Sequence, residues 1–403
     1  MLTLGAACPS TGDDDGAAAG GTSDTGGDAT GTTVAATGSS DGADGSSSGG
    51  GDESSSGEPV DLDPVQMTLL EDVVFYDGYA ETVDEPVPEG VTRLSNALYT
   101  TKMTEEELGQ IQGTLAMQVT TGALCDNYDR IGSVQLAIVP KGQETYDPAR
   151  VDRLEIARFI TPFMDMNRQP DRVPYEFNLD NIIPILTDDA LLAEYDIWFE
   201  LSVFGVPYAA NNEIAGCDGR NDVTRGWLLL YTDSTEPAPE FNTYVPLAVS
   251  ESFNNYGEGA SDAVGTTTKT IPFSLDADSE ATQLVLITSN HGANTGGEEY
   301  NRREHFVYVD RDVVLSYVPG RDSCEPFRMY NTQGNGIYGA SPKSDEEWQS
   351  FSNWCPGDRI DTRVIDLGPM SAGDHTFVID VPDAVFANGE GNIPVSLYLQ
   401  ARL

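Results

Sequence analysis

From about residue 113 onward, apolar and polar positions alternate with a period of two in short runs, and a 3.6-residue helical period is rare. Such runs predict strands at 113–119, 131–139, 154–163, 173–179, 195–204 and 226–231, rich in β-branched and aromatic residues. After a Ser/Thr/Pro-rich break at 232–239, a second series follows at 243–249, 268–275, 283–288, 305–310, 313–318, 362–367, 375–381 and 394–401. Thr104, with Glu107 three residues on, has the form of a capping box and predicts one short helix. Strands separated by Gly, Pro and Asn turns predict an all-β chain of two antiparallel sandwiches of the jelly-roll kind. The break divides them into 63–237 and 238–403.

Residues 9–62 fall outside this pattern. They are almost entirely Gly, Ser, Thr, Ala and Asp, and no Lys or Arg precedes Arg93. A segment so poor in apolar surface cannot offset its ordering entropy, so a disordered, self-repelling tether is expected. Just upstream, Leu4-Gly5-Ala6-Ala7-Cys8 resembles the cleavage and lipidation box of bacterial lipoproteins. Cys8 is thus the expected lipid-anchor position, and 1–8 the remnant of an export signal. The basic start and apolar core that such a signal needs do not precede Cys8, so either the true start lies further upstream or the box is fortuitous.

Charge narrows the partners. With 21 Lys and Arg against 66 Asp and Glu, the formal net charge is −45. Nucleic acid and anionic lipid surfaces would be met by long-range repulsion, whereas neutral sugars or peptides would not. No apolar run is long enough for a membrane-spanning helix. Setting Cys8 aside leaves Cys125, Cys217, Cys324 and Cys355, an even number that suits an oxidising compartment. The simplest pairing joins Cys125 to Cys217 and Cys324 to Cys355, among three possible connectivities. A zinc site is the alternative, but no paired C-x-x-C spacing supports it. No metal or cofactor is expected, since His291, His305 and His375 are scattered and poor as a ligand set.

Four segments carry candidate chemistry. Cys125-Asp126-Asn127-Tyr128-Asp129-Arg130 puts two acids, an aromatic and an arginine at a strand entrance. In the strand at 195–204, Ile197, Phe199, Leu201 and Val203 share a core face. Trp198 and Glu200 share the other, as a sugar-stacking ring beside an acid or as a solvated charge beside an indole. A loop from Asn290 and His291 through Glu298 and Glu299 to Arg303 and His305 gathers charge before another strand; Asn353-Trp354-Cys355-Pro356-Gly357 closes a turn.

In this order the four segments resemble the peptide-N-glycosidase F family, amidases that remove N-linked glycans from Asn. The family's Cys-Asp-Glu-Trp-Asp-Arg element is similar to residues 125–130, and its Arg-Phe-Ile-Thr-Pro strand to Arg158–Pro162. A Glu-bearing strand resembles Ile197–Glu200, a Gly-His loop running to an acid, an Arg and a His resembles the segment with Glu299, Arg303 and His305, and Trp-Cys-Pro-Gly follows. The resemblance covers roughly 64–403. It implies two eight-stranded jelly rolls packed side by side with a glycan-binding cleft where they meet. It further implies Asp129, Glu200 and Glu299 as catalytic carboxylates, with Arg130 holding Asp129 charged and Arg130, Trp198, His291 and Trp354 binding substrate. The expected ligand is an N-glycoprotein or glycan, and the expected state is a monomer, extracellular or at a bacterial outer-membrane surface and touching membrane only through Cys8. Departures stand at Ser202, where the family has Trp, at Phe351, where it has Arg, at Gly297 and Asn301, where it has a cysteine pair, and at Thr120, in place of a further cysteine. Carboxylates kept while sugar-gripping residues change imply an amidase of altered glycan preference, or a noncatalytic glycan- or peptide-binding lipoprotein. A copper-dependent monooxygenase on the same paired jelly-roll arrangement is a third, remote reading.

Overall fold

Strand β1 (Val65–Tyr76) opens a sheet of order β1-β9-β4-β7, completed by β4 (Thr114–Ala123), β7 (Arg172–Asn178) and β9 (Asp222–Asp233). Facing it lies a sheet of order β2-β3-β8-β5-β6, made of β2 (Val91–Ser95), β3 (Leu98–Lys102), β5 (Ile131–Pro140), β6 (Asp152–Ile160) and β8 (Tyr195–Val203). The second half repeats the plan with β10 (Thr243–Ser252), β17 (Pro394–Arg402), β12 (Ala281–Thr288) and β15 (Thr362–Gly368) in one sheet. Its other sheet holds β11 (Thr268–Leu275), β16 (Gly373–Asp380), β13 (His305–Val309) and β14 (Asp312–Tyr317). All pairings are antiparallel, and this interleaved order is that of two jelly rolls, the first carrying β2 as an extra edge strand. The molecule is seen as a computed structural model that describes residues 64–207, 213–234, 241–253, 265–292, 298–333, 337–350, 353–386 and 391–403. The tether, Cys8 and the expected boundary at 237–238 lie outside them.

Each strand of the second series lies within two residues of its expected span, except that β10 runs three residues further, because alternation is cleanest where one face is buried and one is wet. In β11 every second residue (Ile271, Phe273, Leu275) enters the core. Three strands give no such signal. In β1 the alternation breaks at Leu69-Leu70 and again at Glu71-Asp72, where pairing with β9 shifts register and Asp72 takes φ 53°. Bulges of this kind change which face a residue occupies. Strands β2 and β3 are five residues each, too short for a period to register. The capping box at Thr104 caps α1 (Glu105–Leu108), as expected. Among the described residues, three further short α-helices are α2 (Ile183–Leu186), α3 (Asp189–Glu194) and α4 (Asp345–Gln349).

The two jelly rolls meet where β6 lies against the sheet containing β10, β17, β12 and β15. Tyr398 and Val285 of the second join the hydrophobic core of the first. Arg158 anchors the contact while fully buried. Its Nε and Nη2 donate to the Glu155 carboxylate at 2.7 and 2.8 Å, and Nη1 reaches Ser289 Oγ at 3.0 Å and the Pro394 carbonyl at 2.8 Å. Ser396 Oγ donates to the same carboxylate, so this buried ion pair of β6 is hydrogen-bonded across the seam.

Candidate active site

The connection from β4 to β5 holds the hexapeptide on three sides. Cys125 and Asp126 donate backbone N–H groups to Asp222 and Val223 at 3.1 Å each, extending β9's edge. A disulfide ties Cys125 to Cys217, and a second ties Cys324 to Cys355, the connectivity expected as simplest. Thr161 clamps the other end: its Oγ1 accepts from Arg130 N at 2.7 Å and donates to the Tyr128 carbonyl at 3.1 Å.

Inside this frame the two acids divide their work. Asp126 is the structural one, since its carboxylate accepts from Tyr128 N at 3.1 Å, Val206 N at 2.8 Å and the Arg130 guanidinium at 2.7 and 3.2 Å. Gly205 lies so close that a Cβ there would stand 2.7 Å from Asp126 Oδ2. Asp129 as a residue is partly exposed, but its Oδ2 is sealed and has no hydrogen-bond partner. Burial pushes its pKa well up, the charge of Glu299 pushes further, and Arg130 opposes both. The sequence reading gave Arg130 the task of holding Asp129 charged. In the structure the bidentate partner of Arg130 is Asp126; the Arg130 charge still favours ionised Asp129, but burial and Glu299 outweigh it and the pKa is raised.

Glu299 comes from the second jelly roll. His291 pairs backbone to backbone with Asn392 at 2.8 and 3.0 Å, and Gly292, at φ 115°, turns the chain. The Gly292 N–H then donates to Glu299 Oε2 at 3.3 Å, and Asn353 Nδ2 reaches the Glu298 carbonyl at 2.6 Å. Neighbouring Glu298 is occupied by Arg303 (2.9 and 3.2 Å) and by Val385 N at 2.8 Å. Glu299 is thereby the acid left for Asp129. Its pKa rises with burial, opposed by the Tyr300 hydroxyl and the Gly292 N–H. Tyr300 itself is raised by burial first, then by the charges of Glu299 and Asp129, which places all three in one electrostatic unit.

The structure brings Asp129 and Glu299 together and leaves Glu200 out. Glu200 lies opposite Gln135, four residues along β5 from its entrance, or about 13 Å. Its buried carboxylate accepts from Tyr146 Oη at 2.7 Å and pairs with Arg153 through Nε and Nη2. Trp198 is buried beside it under Tyr146 and Val151, with ring centroids of Trp198 and Tyr146 5.4 Å apart. The face expected to be polar and open is therefore roofed by the β5–β6 connection, an effect of tertiary packing that strand parity cannot reveal.

His291 and Trp354 form a buried support rather than an open wall. Trp354 Nε1 donates to the Asn290 carbonyl at 2.9 Å, and its ring tilts over His291 at 5.7 Å. Burial and the charge of Arg158 drive the His291 pKa down to about 3, so its imidazole is neutral. Among the described residues no three His, Cys, Asp or Glu side chains gather as a metal site. Sequence reasoning missed Asn290, whose fully buried side chain leaves Oδ1 and Nδ2 without partners, and Asn353, whose Oδ1 is likewise orphaned. Their proximity to His291 and Trp354 in the chain was the available signal.

Two jelly rolls sharing a buried pair of acids, one from each, define a two-domain protein with its candidate chemistry at the seam. The N-terminal domain model of peptide-N-glycosidase F matches residues 66–218 and the C-terminal model matches 260–400, together more than half of the chain; it belongs to the peptide-N-glycosidase F family. Among solved structures it is similar to PNGF-II, at 19% identity and a TM-score of 0.61, over 84% of this chain and 66% of that one. It is also similar to PNGase F, a glycosylasparaginase from Flavobacterium meningosepticum, at 13% identity and a TM-score of 0.53, over 85% and 96%. The chain thus spans slightly under two thirds of PNGF-II. No curated protein matches. Among the described residues, no helix is long and apolar enough to cross a membrane.

Proposed function

We propose that the chain is an amidase that hydrolyses the bond between Asn and the first N-acetylglucosamine of N-glycopeptides, with Asp129 and Glu299 as its acid–base pair. The observation that carries this reading is two buried carboxylates from different jelly rolls, both with pKa raised first by burial, with the charge of Glu299 acting on Asp129. Two such groups do not ionise together; they hold one proton between them over a wide pH range. The ionised member takes a proton from water as its oxygen bonds to the amide carbonyl carbon. The C–N bond then breaks, and the protonated member gives its proton to the departing glycosylamine nitrogen. Asn becomes Asp, the pair still holds a single proton with its members' roles exchanged, and the new acid loses its own proton to solvent.

Lipidation at Cys8, a monomeric state and an extracellular or cell-surface setting belong to the same proposal. The seclusion of Glu200 favours a second reading, in which the seam binds a glycan or peptide without cleaving it. The test is incubation with a denatured N-glycoprotein, followed by mass analysis of former glycosylation sites. Conversion of Asn to Asp that disappears in Asp129→Asn supports the amidase. Intact glycan with measurable binding supports the second reading.

A further inference from the structure

A pair of exposed aromatic rings stands at the same end of the first jelly roll as Asp129. Tyr79 is 73% exposed and Phe204 40%, and their rings meet edge to face at 5.0 Å. Large apolar side chains left open this way mark binding surfaces when they are grouped and held.

This pair is held. Asn96, almost wholly buried, accepts from Val83 N at 2.9 Å and donates to the Asp77, Ala80 and Glu81 carbonyls, fixing the loop that carries Tyr79. Gly78 N donates to the Gly205 carbonyl at 2.9 Å, pinning that loop to the exit of β8. Any side chain at 78 would meet the Phe204 ring at 2.3 Å, so the glycine lets the loop lie flat on it. A surface ring without a task has no need of such support.

The pair also continues the candidate site. Gly132 pairs with Val203, so the register places Ile131 across from Phe204, with Asp129 two residues beyond. That separation is roughly 10 Å, one or two sugar rings. On the other side of Ile131 the apolar run continues to Ile160 and Trp354. The net charge of −45 turns away anionic occupants and leaves neutral ones.

We propose that Tyr79 and Phe204 form a stacking subsite for an uncharged pyranose ring of the oligosaccharide, beyond the sugar attached to Asn. This deepens the amidase reading and rests on it for the position of the glycan. Flat aromatic faces take the C–H face of a pyranose, so the pair would supply grip that the changes at Ser202 and Phe351 remove.

The test compares Tyr79→Ala and Phe204→Ser with the unsubstituted protein on two glycopeptides, one with a branched neutral oligosaccharide and one with a single N-acetylglucosamine. The expected result is a KM about tenfold higher for the long glycan, with kcat unchanged and the short substrate unaffected. Equal losses on both substrates would overturn the subsite. If the unsubstituted protein cleaves neither, the amidase reading fails separately, and calorimetric titration with the free oligosaccharide decides. Binding that weakens about tenfold in both variants upholds the subsite; binding unaltered in both refutes it. Circular dichroism melts of both variants serve as a folding control. Competition by the sugar-free peptide, lost in Tyr79→Ala, would assign the rings to peptide and overturn the proposal.

Discussion

Arg130 closes a two-point ion pair on Asp126, at 2.7 and 3.2 Å, and leaves Oδ2 of Asp129 without a hydrogen bond. Asp126→Ala removes the acceptor of four donors, two of them from the Arg130 guanidinium. We expect a loss of about 3–5 kcal/mol in urea denaturation, as for other broken buried pairs. Asp129→Ala, which leaves the Asp126 and Thr161 clamps of the loop in place, should cost far less stability and remove turnover.

Asp129 and Glu299 make stability depend on pH in a defined direction. Both folded pKa values lie above the unfolded carboxylate range of about 4. Between the unfolded and folded values the native state binds more protons, so stability falls as pH rises through that window and stays lower above it. Glu299→Gln should therefore raise the denaturation midpoint at pH 8 more than at pH 3. An unchanged difference across pH would show that the pair does not titrate as assigned.

Glu200 should behave as a structural residue. Glu200→Ala leaves Arg153 without its partner and should lower stability by about 3 kcal/mol. Turnover per folded molecule, measured well below the melting temperature, should stay within about twofold. A loss of about a hundredfold would place Glu200 in the chemistry.

The Arg158–Glu155 pair at the seam offers a double-mutant cycle. Arg158→Met leaves Glu155 buried and uncompensated, and about 3–5 kcal/mol should be lost. Adding Glu155→Leu should recover most of it, because no buried charge then remains. Calorimetric melting would read both steps.

His291 and His305 set the acid side. Burial lowers their pKa to about 3 and about 4, below the unfolded value near 6.5. Between those limits the unfolded chain binds more protons, so stability falls as pH drops from about 6.5. His291→Gln should flatten that limb in a series of urea titrations from pH 7 to pH 4.

Much of the fold was legible because alternating residues such as Ile271, Phe273 and Leu275 report a one-sided sheet directly. β1 was not legible, because bulges at Leu70 and Val73 break the period that identifies a strand. The candidate site divides in the same way. Asp129 and Glu299 stand out as acids beside strand entrances, and family motifs order them. Which acid takes Arg130, and whether the β5–β6 connection roofs Glu200, depend on contacts between residues such as Arg153 and Glu200 that are 47 positions apart.

The seam has a consequence for how activity can arise at all. Asp129 is positioned wholly by the first jelly roll and Glu299 wholly by the second, with Arg158 bonding one to the other. Neither half alone holds the acid pair, so under the proposed function each would be inert until docked. Two separately expressed halves would form a split reporter, silent apart and switched on only by correct association.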